Sequence, residues 1–380
     1  MQFKVFNFIF YMIIAVLSYL NIYFKDIGLS STQIGALNSV AKGVALLILP
    51  FWGILSDYYQ ANKKLLKIAI LGMLLFSFTF LLTDDFIILI FIMIAFHIFW
   101  TPIVPLVDAQ LLSYLGSRGN QYGRYRIWGS LSFTLVVPVI GYFLEETNPY
   151  NLFYIIGFIL LLTFLASFKL PDNNAEIKVG SLEDFKKLLS NKSLLGFIIF
   201  LFFISITRMI NMVYFPIYLV DNGGGEFLVG VALMISASSE MIIFYLSEKI
   251  TTRFKGKTLF LVSSLAAALR WFVLASFAVP AVILSSQLLH SLTFGLFHLT
   301  SVDFINKISG EKFKATGQNL YATTNGISAI TGSFIGGLIY DTAGGSSLYF
   351  YLSIIAFTTG MIYFLILSRN ERIRYNKSHN

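Results

Sequence analysis

Polar and apolar positions along this chain do not alternate at short range. They separate into long blocks. Apolar runs of about 18 residues or more, long enough for a helix to cross the hydrocarbon layer, recur throughout. Twelve membrane-spanning helices are predicted, over residues 5–24, 32–56, 63–83, 86–112, 124–144 and 151–169, then 193–220, 226–247, 258–278, 281–305, 315–339 and 346–367. Gly28 with Ser30, Asn148-Pro149, Gly223-Gly224-Gly225 and Gly344-Gly345 punctuate the runs. No segment alternates over the ~10 positions of a barrel strand, which argues against a β-barrel. Only the connection 171–192 is long. It is polar and holds a candidate amphipathic helix from Ser181 to Leu189. The pattern predicts an all-α membrane protein with a six-helix half over 1–170, a linker over 171–192, a second six-helix half over 193–368 and a tail over 369–380.

Composition agrees. Of 380 residues, 57% are hydrophobic and only 12% charged, about half the charged fraction of a soluble domain. The first run follows Met1–Phe6 directly and has no small-residue cleavage site, so no cleavable signal is expected. Cysteine is absent, which removes disulfides, thiol nucleophiles and thiolate metal ligands. The net charge of +8 could suggest nucleic acid, but its placement gives a different reading. With the N-terminus inside, 23 of the 27 cations fall in the inner segments, and among the outer loops only Lys25 is basic. That is a positive-inside signal, with both termini, the linker and the tail cytoplasmic and no role for nucleic acid.

The halves also repeat. At a constant offset of 195 residues Gly35 meets Gly230, Asp108 meets Asp303, Gly141 meets Gly336 and Glu146 meets Asp341. Two halves in one orientation imply a parallel repeat about an axis along the membrane normal, with a binding site near mid-membrane where the halves meet.

Six charges lie within the predicted spans: Lys42, Asp108, Arg208, Glu240, Arg270 and Asp303. Each costs about 2.5–3.5 kcal/mol when unpaired in the bilayer, and six would exceed a typical protein's whole stability. Three are positive and three negative, so complete pairing is possible, and they should face the interior or a wet cavity. Asp303 has Lys307 at i+4, most simply a local ion pair. Glu240 has no cation within one turn, which favours a functional role.

Histidine is the side chain most easily titrated near neutrality. His290, Phe294 and His298 are spaced to share one helix face, and His97 lies about three turns from Asp108. Pro102 and Pro105 should break or bend the helix between them. A lone intramembrane histidine is commonly a hydrogen-bonded core residue, the reading favoured for His298, whereas His290 stands open. At the inner end of the second span, Gly53 and Asp57 precede Lys63 and Lys64, a spacing suited to a conformational latch between neighbouring helices. No GxxxxGK[ST], HExxH or GxSxG occurs, so direct ATP use and the common hydrolase sites are not expected. Too few histidines are present for a structural metal site, and no cofactor is implied.

The six-plus-six plan, with GILSDYYQANKK after the second span, resembles the major facilitator superfamily over the whole chain. The turn NQYGRYRIWGS looks like that of the lactose permease-like proton symporters and the related nucleoside and phenylpropionate transporters. The resemblance places Asp108 and Arg126 on the group's sugar-binding acid and arginine, and Phe133 on the aromatic that stacks against the sugar. Glu240, Arg270 and His290 fall on its proton-coupling residues. Three positions depart: the acid one turn after the histidine is Thr293, the lysine before it is Gln287, and Lys42 falls where lactose permease has a small polar residue. Lys42 resembles the nucleoside and phenylpropionate branch.

The expectation is thus a secondary active transporter, not an enzyme, in the cytoplasmic membrane of a prokaryote. It would carry a small polar solute, a sugar or nucleoside, together with protons and without an obligate protein partner. Lys42, Arg208, Asn211, His97, Trp100 and Tyr23 complete the candidate binding set. Organic-acid symport, proton-antiport efflux of amphipathic compounds and, more remotely, a non-transporting sensor are the alternatives.

Overall fold

The structure is a computed structural model that describes residues 1–59, 61–171, 191–310 and 313–379, apart from the side chains of residues 120, 315 and 370–379. The candidate helix from Ser181 to Leu189 lies outside the described residues. Every regular element among them is helical. Ten helical runs are long and apolar enough to cross a membrane. Asn151–Ser167 is a shorter apolar helix, and the last run, Thr316–Arg369, leaves helical geometry at Gly344 (φ 79°, ψ 167°). Gly28 and Gly223 also have positive φ, which a residue with a Cβ adopts only at a cost. Large apolar side chains face outward along the helices, among them Leu75, Phe91, Met212 and Ile242, each more than 60% exposed. On a soluble protein such a surface would aggregate; against lipid it is the expected face.

The chain divides into two compact units. The first comprises Met1–Val179 with Pro216–Met234, so a piece of the second half of the sequence belongs to it. Its helices are α1 (Gln2–Leu17), α2 (Leu20–Asp26), α3 (Ser31–Tyr59), α4 (Asn62–Ser77), α5 (Phe86–Trp100), α6 (Ile103–Leu115), α7 (Tyr122–Glu145) and α8 (Asn151–Ser167). The fourth predicted span is broken where proline dictates. Thr101 and Pro102 form a turn between α5 and α6, because Pro102 has no N–H for the helical ladder. His97 and Asp108 therefore do not share one continuous helix face. A buried aromatic cluster fills the interior, with Phe80 and Phe153 stacked at 4.8 Å.

The segment Pro216–Met234 packs tightly into this unit. Lys25 pairs with Asp221, and the Glu145 carboxylate accepts a hydrogen bond from the Phe227 backbone N–H at 2.8 Å. Gly141 and Gly230 permit the contact. A Cβ on Gly141 would lie 2.3 Å from the Glu226 carbonyl oxygen, and one on Gly230 2.5 Å from the Pro138 Cα.

The second unit comprises Gly180–Phe215 with Ile235–Asn380. The helices α9 (Lys192–Asp221) and α10 (Glu226–Tyr245) are followed by α11 (Ser247–Arg253), α12 (Gly256–Ser276) and α13 (Pro280–Ser286). A π-helical turn, Ser291–Leu296, then leads into α14 (Phe297–Ser309), and α15 runs from Lys314 to His379 with the interruption at Gly344. Among the interior contacts, Tyr363 stacks on Phe200 at 4.1 Å, and Ser353 donates to the Ala268 carbonyl at 2.8 Å.

The 195-residue repeat has a structural counterpart. In the first unit the Tyr19 hydroxyl donates to the Val137 carbonyl at 2.6 Å; in the second, Tyr214 donates to the Ser333 carbonyl, also at 2.6 Å. Tyr19 and Tyr214 are 195 positions apart, and their acceptors differ from that offset by one residue. Each tyrosine also lies where a Cβ on Gly141 or Gly336 would be.

Candidate functional site

In the first unit Asp108 on α6 and Arg126 on α7 are both half-buried, but they do not form a direct ion pair. The Tyr122 hydroxyl stands between them, hydrogen-bonded to each. The Arg126 guanidinium lies 4.0 Å above the Tyr11 ring, and a Cβ on Gly129 would lie 2.5 Å from that ring, so the small residue makes room for the tyrosine. A phenol that bridges a carboxylate and a guanidinium holds both in place while leaving acceptor and donor capacity on each. Tyr122 and Tyr11 were not among the sequence candidates. Tyr122 was within reach, since it stands in the NQYGRYRIWGS turn four residues before Arg126.

The other first-unit candidates separate into two groups. Lys42 is half-buried near His97, whose Nδ1 lies 3.0 Å from the Met93 carbonyl, and Lys42 joins none of the ion pairs among the described residues. Phe133 is half-buried on α7. Trp100 stacks on Phe10 at 5.7 Å, and Tyr23, 2% exposed, is held edge-on by Phe153 at 4.7 Å and donates to the Phe80 carbonyl. The rings of Trp100 and Tyr23 are thus engaged in packing. At the end of α3, Gly53 is buried and Asp57 exposed; Lys63 is half-buried and Lys64 exposed on α4. The turn between these helices is closed by Ser56, whose hydroxyl donates to the Asn62 side-chain oxygen.

In the second unit a connected polar network runs through the interior. Arg270, 1% exposed, donates from Nη1 to His290 Nδ1 at 2.9 Å and to Thr293 at 3.1 Å, and from Nη2 to the Gln287 side-chain oxygen. Ser236 donates to that same oxygen at 2.9 Å. His290 Nε2 lies 2.7 Å from Glu240 Oε1. These contacts assign the protons. A guanidinium can only donate, so His290 Nδ1 must accept, and its one ring proton sits on Nε2 and points to Glu240. Histidine is then neutral, and the group in the network free to take up a proton is the Glu240 carboxylate. Gln287 and Thr293, two of the departures from the family pattern, are both partners of Arg270. A lysine and an acid are replaced together by neutral acceptors, which leaves the net charge unchanged.

Arg208 lies on α9 with its guanidinium 4.7 Å from the Phe294 ring and 5.2 Å from Phe297, and it is hydrogen-bonded to Tyr321. Tyr321 also meets His298 Nδ1 at 2.9 Å. His290, Phe294 and His298 share the face that their spacing predicted, and their rings form one stack with centroids 5.5 and 5.6 Å apart. Asn211 accepts from the Tyr349 hydroxyl at 3.1 Å. Tyr321 had no signal in the sequence, because it reaches the cluster from a distant helix.

The expectation of complete charge pairing fails. Asp303 closes on Lys307 at 2.6 Å, as its spacing implied, but the nearest basic partner of Glu240 is a histidine, and Arg270 is held by neutral acceptors. Asp108 is taken up by Tyr122, Glu240 by His290 and Asp303 by Lys307, so among the described residues no carboxylate comes within ion-pair distance of Lys42 or Arg208, although the Glu240 charge is felt at Arg208. No cluster of His, Asp and Glu suited to a metal ion occurs among those residues either.

Known proteins give the geometry its context. A crystal structure of the nucleoside transporter NupG superposes with a TM-score of 0.87 over 96% of this chain and 98% of that one, at 17% identity, a likeness of fold. An uncharacterized transporter of Bacillus subtilis (strain 168), YwbF, is 28% identical over 87% of this chain and 84% of its own length. A maltose permease of Geobacillus stearothermophilus is 25% identical over 96% and 93%. These relatives are transporters, not enzymes. Residues 1–351 match the model of the MFS_1 like family, so the chain, a multi-pass membrane protein, belongs to that branch of the major facilitator superfamily.

Proposed function

We propose that the protein is a proton-coupled symporter that carries a small polar organic solute across the cytoplasmic membrane of a prokaryote by alternating access. The observation that carries this reading is the Arg270–His290–Glu240 chain. It joins the Glu240 carboxylate, through a neutral imidazole, to a fixed positive charge. Loading Glu240 with a proton removes the charge that strengthens its hydrogen bond from His290, and unloading restores it. A conformational change that separates or joins these groups is therefore tied to proton binding and release.

Asp108 and Arg126, spaced by Tyr122, are the solute-binding pair in this reading, and Phe133 is a candidate stacking surface. Sugars and nucleosides are the first solutes to consider, since hydroxyl groups suit charge-assisted hydrogen bonds to a carboxylate and a guanidinium. The named substrates of the maltose permease and of NupG support that choice. Counting both sides of Gly344 and the shorter helix Asn151–Ser167 gives the twelve spans of the reading, with both termini cytoplasmic and with 1–170 and 193–368 as the two halves. Gly53, Asp57, Lys63 and Lys64 would act as the latch at the inner face.

The test is counterflow in proteoliposomes with maltose and uridine as first probes, with and without an imposed pH gradient. Exchange that becomes concentrative only with the pH gradient supports symport. Transport that is indifferent to the gradient would sink the coupling, and accumulation driven outward by inward protons would favour antiport.

A further inference from the structure

Arg208, like Lys42, is an interior charge that the proposed mechanism leaves without a task. Its Nη1 is buried with no hydrogen-bond partner, although the residue as a whole keeps some exposure. The Tyr321 hydroxyl oxygen accepts one of its N–H groups, and Phe294 and Phe297 lie against the guanidinium. Aromatic faces attract a cation but supply no acceptor to Nη1.

The charges around it do not balance. The Tyr321 oxygen accepts from both Arg208 and Asn325, which fills its acceptor sites and directs its own proton to His298 Nδ1, so His298 is neutral, as His290 is. Among the described residues, the interior of the second unit thus holds two guanidiniums, Arg208 and Arg270, against one carboxylate. That carboxylate, Glu240, is already hydrogen-bonded by the histidine that Arg270 holds. A neutral hydroxyl could satisfy the unpartnered N–H but not the surplus charge. A carboxylate satisfies both, in the forked geometry that guanidinium favours.

We infer that the transported solute is a monocarboxylate and that Arg208 binds its carboxylate, with Tyr321 beside it and Phe294 packed against the guanidinium. This rests on the symport reading and replaces its sugar or nucleoside with an acid. It also has a consequence for the driving force. One solute anion moving with one proton on Glu240 transfers no net charge, so uptake follows a pH gradient and ignores a membrane potential.

The experiment uses the full chain in proteoliposomes and matched pairs of acid and primary amide: lactate with lactamide, benzoate with benzamide, and 3-phenylpropionate with 3-phenylpropionamide. Maltose and uridine run alongside. At least one acid should exchange with a half-saturating concentration at least about 10-fold below that of its amide. Arg208→Gln should reduce that preference to within about twofold, and Arg208→Lys should retain part of it. Equal handling of acid and amide by the unaltered protein overturns the inference, as does a preference that survives in Arg208→Gln. Exchange of maltose or uridine alone overturns it too but leaves the symport reading standing. Thermal stabilisation by an acid with no flux keeps the site and removes the transport reading. The unaltered protein gives an independent check should the variants fail to fold. A potassium-diffusion potential without a pH gradient should not drive acid uptake, and uptake under that condition overturns the inference.

Discussion

His290 and Glu240 meet at 2.7 Å through an imidazole nitrogen that carries the proton and a carboxylate oxygen that accepts it. Arg270 on the far side of the ring keeps that polarity from reversing. Glu240→Gln preserves the shape and mimics the protonated acid, so it should abolish proton-driven accumulation while counterflow persists. Uptake and counterflow measured on the same vesicles check this. A variant that still concentrates solute against its gradient removes Glu240 from the coupling role.

Tyr122→Phe takes away the hydroxyl between Asp108 and Arg126 without changing the ring. Hydrogen bonds to charged groups are worth about 1.5–3 kcal/mol, so solute affinity should fall by roughly 10-fold or more. Asp108→Asn should cost more, since it removes the charge itself. A change in affinity below about twofold for Tyr122→Phe would show that the phenol does not organise the pair.

Gly141→Ala places a methyl group 2.3 Å from the Glu226 carbonyl oxygen, which is backbone and cannot swing aside. A loss of about 1–3 kcal/mol is expected, seen as a lower midpoint of thermal unfolding. Gly43→Ala is the control. Nothing lies within 4 Å of its Cβ position, and in a helix alanine is preferred by about 1 kcal/mol or slightly less. Equal melting of the two variants would mean that the contact at Gly141 yields readily.

Tyr19→Phe and Tyr214→Phe remove equivalent buried hydrogen bonds, one from each unit. Each should destabilise by about 1 kcal/mol. Because the bonds have the same length and the same kind of acceptor, the two losses should agree within about 0.5 kcal/mol in denaturant titrations. A large effect from only one of them would mean that the repeat is geometric without being energetic.

Much of the architecture could be read from the chain. Long apolar runs, the glycines at 28, 223 and 344 and the proline break at 102 all follow from local constraints that act whatever surrounds them. The site was legible only where a partner lay close in sequence. Lys307 was found for Asp303 because one helical turn joins them, and the shared face of His290, Phe294 and His298 was legible from their spacing. Tyr321 beside Arg208 and Gln287 beneath Arg270 depend on how separate helices rotate against one another, and that rotation leaves no periodic trace. Counting charges also misled. Equal numbers of acids and bases within the spans permitted full pairing, yet neutral hydroxyls and amides took up much of the interaction.

The π-helical turn Ser291–Leu296 bears on how the chain tolerates length changes. Such a turn contains one residue more than the α-helical path through the same space. Removing a residue there should let the segment relax to ordinary helix and keep the downstream register. The same deletion elsewhere would rotate everything beyond it by about 100°. In Phe297–Ser309 it would carry Thr300, Ser301 and Ile305, all buried, out of the core. The surplus residue sits between the two stacked histidines, so a shortened chain could keep its fold while losing the alignment of His290 with His298.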